Sequence, residues 1–204
     1  MTRRYLALGD SYTIGEGVDA SGRWPVQLAA VMRDAGAAVA DPTIVAKTGW
    51  TTAELLTALD AISPPLPADY DLVSLLIGVN DQYRGLASGV FREGFFKLLS
   101  HAVNFAGGDA RRVVVVSIPD WSVTPFARSD PRGALAIAAE IDAFNAIARE
   151  ATCQAAVPFV DVTPMSRHAA SDRTLLAADG LHPSRNMYTL WVEAILPVAM
   201  RALS

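Results

Sequence analysis

Two apolar runs decide the fold: LVSLLI at residues 72–77 and VVVV at residues 113–116. Near-continuous apolar runs of this length are typical of parallel strands, because helices cover both faces of such a sheet. Three further apolar runs occur in the chain, and helical patterns separate all five runs from one another. The predicted strands are Tyr5–Leu8, Thr43–Ala46, Leu72–Ile77, Val113–Ile118 and Pro158–Val162. We therefore predict a three-layer α/β/α sandwich around a five-stranded parallel sheet, with the flavodoxin-like strand order 2-1-3-4-5.

Local signals mark where several helices begin. Trp24-Pro25 places proline in a first helical turn, and Thr51 with Glu54 forms a capping-box pattern. Asp130-Pro131 predicts the start of a helix that ends near Cys153, and Ser184 can cap the last helix. Because no repeat or linker interrupts this pattern, we expect a single domain over residues 1–204.

Composition excludes several classes of function. Charged residues make up 19% of the chain, the formal net charge is -4, and no Lys/Arg-rich run is present, so a nucleic-acid surface is not expected. No segment has the length to cross a bilayer, and Asp10 interrupts the first apolar stretch, so we expect no membrane insertion and a cytoplasmic location. Cys153 is the only cysteine and is predicted to be a small buried side chain.

Four polar motifs follow predicted strands. They are Gly9-Asp10-Ser11-Tyr12, Thr48-Gly49-Trp50, Gly78-Val79-Asn80-Asp81 and Asp179-Gly180-Leu181-His182. Three connections are unusually long, and long ordered loops are often functional: Tyr12–Arg23, Pro119–Ser129 and Thr163–Pro183. Since ligands bind at the carboxyl ends of parallel strands, we expect a site at this edge of the sheet.

The motifs contain candidates for every role in nucleophilic catalysis. A serine hydroxyl needs a neighbouring base, usually histidine, and a carboxylate must orient the imidazole. Ser11 is the candidate nucleophile, and Asp179 lies three residues before His182 in a turn. Gly49 and Asn80 can supply N–H donors to an oxyanion.

Alternatives remain for each role. His101 and His168 are rival bases, with Asp161 and Asp172 as other acids. His101 lies in an apolar helical stretch, and His168 has Met165 and not an acid three residues before it. Any motif alone can be a helix cap or a turn, and we interpret Asp10 and Asp81 as structural residues that hold loop backbone.

Aromatic residues flank these motifs and also occur in the loop after the fourth strand. They can form the wall of a substrate pocket or pack against the core, and both interpretations stay open. The candidates are Tyr12, Trp50, Tyr83, Trp121 and Phe126.

The four motifs, in this order and over almost the whole chain, resemble those of the SGNH (GDSL) hydrolase family, with Tyr12 at the position of the leucine in that name. The resemblance implies a triad of Ser11, His182 and Asp179. It also implies an oxyanion hole made by the backbone N–H groups of Ser11 and Gly49 and by the Asn80 side chain. The reaction that the resemblance implies is acyl transfer to water, as in an esterase, thioesterase or lipase, with no cofactor and no metal.

The predicted function is a serine esterase that acts on a small acyl ester or thioester. The chain has no long hydrophobic lid segment, which favours a small soluble substrate over a lipid interface. An acyltransferase with the same triad is the nearest alternative. A non-catalytic flavodoxin-like module is another, but a receiver domain needs an aspartate after the third strand, where this chain has Gly78-Val79-Asn80.

Overall fold

The computed structural model describes residues 2–204, and a five-stranded parallel sheet lies at its centre. Its order is β2-β1-β3-β4-β5, which confirms the predicted fold. The strands are β1 (Tyr5–Gly9), β2 (Thr43–Ala46), β3 (Leu72–Leu76), β4 (Val113–Val116) and β5 (Phe159–Val160).

Two helical layers cover the sheet. The helices are α1 (Ser11–Ile14), α2 (Trp24–Asp34), α3 (Thr52–Asp60), α4 (Val79–Tyr83), α5 (Ser88–Phe105), α6 (Ala134–Gln154), α7 (Thr163–Ser166) and α8 (Arg185–Ala202). α2 packs against α8, while α5 packs against α3 and α6. Every residue of β1, β3 and β4 is buried, so the three central strands contact apolar side chains on both faces. Within residues 2–204, none of the helices combines the length and the apolar character that crossing a bilayer requires.

Register brings the strand ends together. Gly9 at the end of β1 pairs with Ala46 of β2 on one side and with Leu76 of β3 on the other. The loops after these three strands therefore leave the sheet at the same level. This alignment places the first three polar motifs side by side.

The predicted caps of α3 and α8 are present. The Thr51 hydroxyl accepts from the Glu54 backbone N–H, and the Glu54 carboxylate accepts from the Thr51 backbone N–H, so α3 begins with a complete capping box. The Ser184 hydroxyl accepts from the Met187 backbone N–H at the start of α8.

Two expectations about α6 were wrong. The helix begins at Ala134 and not at Asp130, because Gly133 adopts φ +78° and the Asp130 carboxylate accepts from the backbone N–H of Arg132, which forms a turn before the helix. Cys153 is exposed and not buried. The buried face of this last part of α6 is formed instead by its neighbours Ala151 and Thr152.

Asn145 of α6 fixes the end of β4. Its side-chain oxygen accepts from the Ile118 N–H at 2.8 Å, and its amide nitrogen donates to the Ile118 carbonyl at 2.9 Å and to the Thr163 hydroxyl at 3.0 Å. All of these groups are buried, so the loop after β4 starts from a fixed position.

We expect Asn145→Ala to lower the free energy of unfolding by about 2 kcal/mol, because the buried Ile118 N–H loses its partner and stays desolvated. Urea denaturation measures the loss. Gln154→Ala, an exposed site on the same helix, is the matched control and should change stability by less than about 0.5 kcal/mol. A loss below that value for Asn145→Ala would contradict the assigned role.

Candidate active site

Ser11 follows the end of β1 as the first residue of α1. Asp10 caps this short helix, since its Oδ1 atom accepts from the Tyr12 backbone N–H at 3.0 Å. A Cβ atom at Gly9 would lie 2.1 Å from the Thr13 hydroxyl oxygen and 2.4 Å from the Leu76 carbonyl oxygen. Only glycine allows this close packing of strand and helix, so Gly9 sets the position of the Ser11 side chain.

Asp179 and His182 form a hydrogen-bonded pair in the loop before α8. The distance from His182 Nδ1 to Asp179 Oδ2 is 2.6 Å, while Asp179 Oδ1 accepts from the backbone N–H groups of Leu181 and His182. The Ala177 N–H donates to the His182 carbonyl at 2.8 Å and closes the turn. With Nδ1 engaged, Nε2 is the ring nitrogen left to act on another group.

Opposing effects act on the pKa of Asp179. Partial burial pushes this pKa upward, but the hydrogen bonds from the His182 ring and from the Leu181 and His182 N–H groups outweigh it and hold the pKa below its usual value. The carboxylate is therefore charged at neutral pH. A charged carboxylate on Nδ1 favours the tautomer with its proton on that nitrogen.

Gly49 and Asn80 face each other across the ends of β2 and β3. The Asn80 side-chain nitrogen donates to the Trp50 carbonyl at 2.9 Å, which joins the two loops. Gly49 adopts φ +86°, in the left-handed region that favours glycine. Arg84 donates to the Gly49 carbonyl at 2.6 Å and also pairs with Glu54.

One cavity of about 150 Å³ is lined by the candidate nucleophile, the candidate base and both candidate donor residues, and Asp179 lies outside its lining. The residues that line it are Ser11, Tyr12, Thr48, Gly49, Val79, Asn80, Tyr83, Trp121, Phe126, Leu181 and His182. His182 is only 9% exposed, so its ring faces this cavity and not bulk solvent. The structure thus brings the four predicted motifs to one concave site.

The rival residues lie elsewhere. His101 lies on α5 beside Phe105, and His168 is exposed in a short 3₁₀ turn. Asp161 pairs with Arg149, and Asp172 caps a 3₁₀ turn at Thr174. None of these four side chains lines the cavity with Ser11. Among residues 2–204, no three His, Cys, Asp or Glu side chains cluster in a way that could hold a metal ion.

Four of the five predicted pocket aromatics line the cavity, namely Tyr12, Tyr83, Trp121 and Phe126. Trp50 is the exception, so the prediction that it lines the pocket was wrong. Its side chain packs against the hydrophobic core, and its backbone carbonyl contributes the acceptor for Asn80.

Comparison with known proteins decides the family. The model of the GDSL-like Lipase/Acylhydrolase family matches residues 7–190. The chain belongs to this family. The match confirms the resemblance that the four sequence motifs indicated.

Several solved structures share the fold of this chain. A lipase/acylhydrolase from Enterococcus faecalis is 23% identical, with 96% of this chain and 94% of that chain covered and a TM-score of 0.73. A lipase from a goat rumen metagenome is 21% identical, with 97% of each chain covered and a TM-score of 0.75. An acetylxylan esterase from Geobacillus stearothermophilus is 15% identical, with 97% and 94% covered and a TM-score of 0.72. No curated protein sequence matches the chain significantly.

Sequence reasoning missed the residues that connect the GDSL-like motifs to one another. Thr48 donates to Glu16 from the loop after α1, and Arg84 connects the Gly49 loop to the α3 cap. Arg84 follows Asn80 by four residues, one helical turn, and this spacing was the only available signal. The Thr48 contact spans 32 residues and leaves no local pattern.

Two buried carboxylates, those of Asp10 and Asp81, hold the backbone next to the site. Asp81 accepts from the Thr52 N–H at 2.9 Å and from the Thr52 hydroxyl at 2.6 Å, which confirms that it anchors a loop. Asp10 caps α1 as described above, but its Oδ2 atom has no hydrogen-bond partner among the described residues. Burial, together with the charge of Asp81, raises the pKa of Asp10 to about 8.

This raised pKa should make stability depend on pH. Between about pH 4 and pH 8 the native protein keeps a proton on Asp10 that the unfolded chain has released. The free energy of unfolding therefore falls as pH rises through this window. The Asn side chain of Asp10→Asn resembles the protonated acid and does not titrate. As pH rises through the window, the free energy of unfolding of this variant should therefore increase relative to that of the wild type, by at most about 1.4 kcal/mol per pH unit. Urea denaturation at pH 5 and pH 7.5 measures this difference in the free energy of unfolding. The same pH dependence in both proteins would refute the raised pKa of Asp10.

Proposed function

We propose that this GDSL-like chain is a serine esterase that hydrolyses a small acyl ester or thioester through Ser11, His182 and Asp179. The observation that carries the proposal is the 2.6 Å contact between His182 Nδ1 and Asp179 Oδ2, on a ring that faces the same small cavity as Ser11. The similar structures include lipases and an acetylxylan esterase, which supports esters as the class of substrate.

The first half-reaction acylates the serine. His182 Nε2 takes the proton of the Ser11 hydroxyl as its oxygen bonds to the ester carbonyl carbon, and the carbonyl π electrons move onto the oxygen. His182 then gives that proton to the departing alcohol oxygen, or thiol sulfur, as its bond to carbon breaks. The Asp179 carboxylate stabilises the imidazolium between these two steps.

The second half-reaction uses water in place of the alcohol. Nε2 removes a proton from water as its oxygen bonds to the acyl carbon, and the same proton returns to Ser11 Oγ as the acid leaves. The free enzyme is thereby restored. In the structure Ser11 and His182 do not share a hydrogen bond, and such contacts often tighten only when substrate binds.

Three donors suit the oxyanion of both tetrahedral intermediates. Ser11 begins α1 and Gly49 lines the same cavity, so the backbone N–H of each residue is a candidate donor. An amide side chain carries two N–H bonds, and Asn80 uses one of them on the Trp50 carbonyl. The other can point to the oxyanion, so the contact with Trp50 orients the donor.

Ser11→Ala should abolish labelling by an organophosphonate and reduce hydrolysis of p-nitrophenyl butanoate to background, because no other serine and no cysteine is among the residues that line the cavity. Intact-mass spectrometry and initial rates measure the two effects, and the circular dichroism spectrum should stay that of the wild type. Stoichiometric labelling of the Ser11→Ala protein would show that another residue is the nucleophile.

Asn80→Ala tests the oxyanion assignment. We expect kcat to fall by roughly 10²–10³-fold with little change in KM, since the lost hydrogen bond strengthens mainly in the transition state. Steady-state kinetics on the butanoate ester separate the two constants. A rise in KM with kcat unchanged would place Asn80 in substrate binding and not in the oxyanion hole.

A further inference from the structure

Three aromatic rings form a continuous wall on one side of the cavity, and we call Tyr83, Trp121 and Phe126 the aromatic wall. Ring centroids are 5.5 Å apart for Tyr83 and Trp121, 6.0 Å for Trp121 and Phe126, and 6.1 Å for Tyr83 and Phe126. Two of the three pairs meet edge to face, a favourable geometry for aromatic rings. The three rings therefore support one another as a unit.

Arg132 lies behind this wall. Its guanidinium carbon is 5.6 Å from the Trp121 ring centroid and 6.0 Å from that of Tyr83. The same group binds both Asp130 oxygens at 2.9 Å and Glu140 at 2.9 Å. A planar guanidinium held by two carboxylates has little freedom, so it presents a fixed surface to the two rings.

Gln82 closes the network on the other side. Its side-chain oxygen accepts from the Trp121 indole N–H at 2.9 Å, and its side-chain nitrogen donates to Glu140 at 2.6 Å. The bond to Trp121 is buried and lies away from competing water, whereas the bond to Glu140 is only partly buried. Trp121 is thus held through its indole nitrogen by Gln82 and through its ring face by Arg132, and Glu140 joins the two holders.

The aromatic wall runs from the enclosed end of the cavity, at Trp121, to its mouth. Trp121 is 2% exposed, whereas Tyr83 and Phe126 are 46% and 40% exposed and lie at the mouth. In an acyl-enzyme mechanism the alcohol must depart before water enters, so the acyl group suits the enclosed end and the alcohol suits the mouth. A cavity of about 150 Å³ is as large as one known to accept benzene, which corresponds to an acyl group of roughly six carbons.

We propose that Arg132 is a positioning residue for substrate selection: by fixing Trp121 and Tyr83 it keeps the cavity short and limits the acyl group to roughly six carbons. This inference rests on the proposed esterase function and defines the acyl specificity of that same site. Arg132 does not touch the reacting atoms. It acts through the aromatic wall, so its loss should change the choice among substrates more than the rate on the smallest ones.

The test compares Arg132→Met with the wild type on p-nitrophenyl acetate, butanoate, octanoate and decanoate. We expect the kcat/KM ratio of octanoate to butanoate to rise by about tenfold or more, because a loosened wall accepts additional methylene groups. Trp121→Ala should raise the ratio further. Arg132→Lys keeps the charge but not the planar group over both rings, so it should give an intermediate ratio.

The chain offers a matched control. Arg149 also lies over an aromatic ring, that of Phe159 at 4.5 Å, and also pairs with a carboxylate, Asp161. Phe159 does not line the cavity, whereas the rings beside Arg132 do. Arg149→Met should leave the ratio unchanged. If Arg132→Met proves too unstable to purify, Gln82→Met removes the Trp121 acceptor without touching Arg132 and should shift the ratio in the same direction.

Several outcomes would overturn the inference. Equal losses on butanoate and octanoate would mean that Arg132 has only a structural role. If the octanoate to butanoate ratio rises in Trp121→Ala but in neither Arg132→Met nor Gln82→Met, the aromatic wall keeps its position without support from Arg132 and Gln82. A change confined to a second series, butanoate esters of alcohols of graded length, would place the alcohol and not the acyl group against the wall. A wild-type protein that neither hydrolyses any ester nor reacts with the phosphonate would instead refute the proposed function itself.

Discussion

The hydrogen bond between Asp179 and His182 is the constraint on which the account of the site depends. It engages Nδ1 of the imidazole through Asp179 Oδ2. The other oxygen of the same carboxylate, Oδ1, accepts from two backbone N–H groups and holds the turn. The same short loop therefore shapes its own backbone and orients its own base. An antiparallel bridge between Leu176 and Pro183 ties the ends of this loop together and supports the geometry of the pair.

The remaining groups depend on a second constraint, the common level at which β1, β2 and β3 end. Parallel register brings three loops to one edge of the sheet, and polar contacts then join them in pairs. Asn80 connects to the carbonyl of Trp50, Asp81 to Thr52, and Thr48 to Glu16. A displacement of one loop would thus move its neighbours, which is how a site assembled from separated segments keeps its geometry.

Much of this arrangement could be predicted from the sequence, because its signals are local. Apolar runs such as 113–116 indicate buried parallel strands, and alternation with helices leaves few possible strand orders. The four motifs are short and contiguous, so the resemblance to the family could be recognised before any coordinates. The pairing of Asp179 with His182 also follows from their three-residue spacing in a turn.

The features that sequence reasoning missed depend on contacts between distant residues. Arg132 meets Gln82 across 50 positions, and no local pattern marks either residue. The start of α6 was placed at Asp130-Pro131 because a cap and a proline are strong local signals, but the contact of Asp130 with Arg132 and the backbone of Gly133 favour a turn. Trp50 and Cys153 were misplaced for a related reason: which way a side chain faces depends on the packing of the whole domain.

The most direct test of the central claim is a crystal structure of the protein after reaction with a small alkyl phosphonate, whose tetrahedral phosphorus imitates the acyl intermediate. We expect the phosphorus to be bonded to Ser11 Oγ. One phosphonate oxygen should lie about 2.7–3.1 Å from the N–H groups of Ser11, Gly49 and Asn80, and His182 Nε2 should face the adduct while Nδ1 keeps Asp179. An adduct on another residue, or a His182 ring out of hydrogen-bonding reach of the phosphonate group, would contradict it.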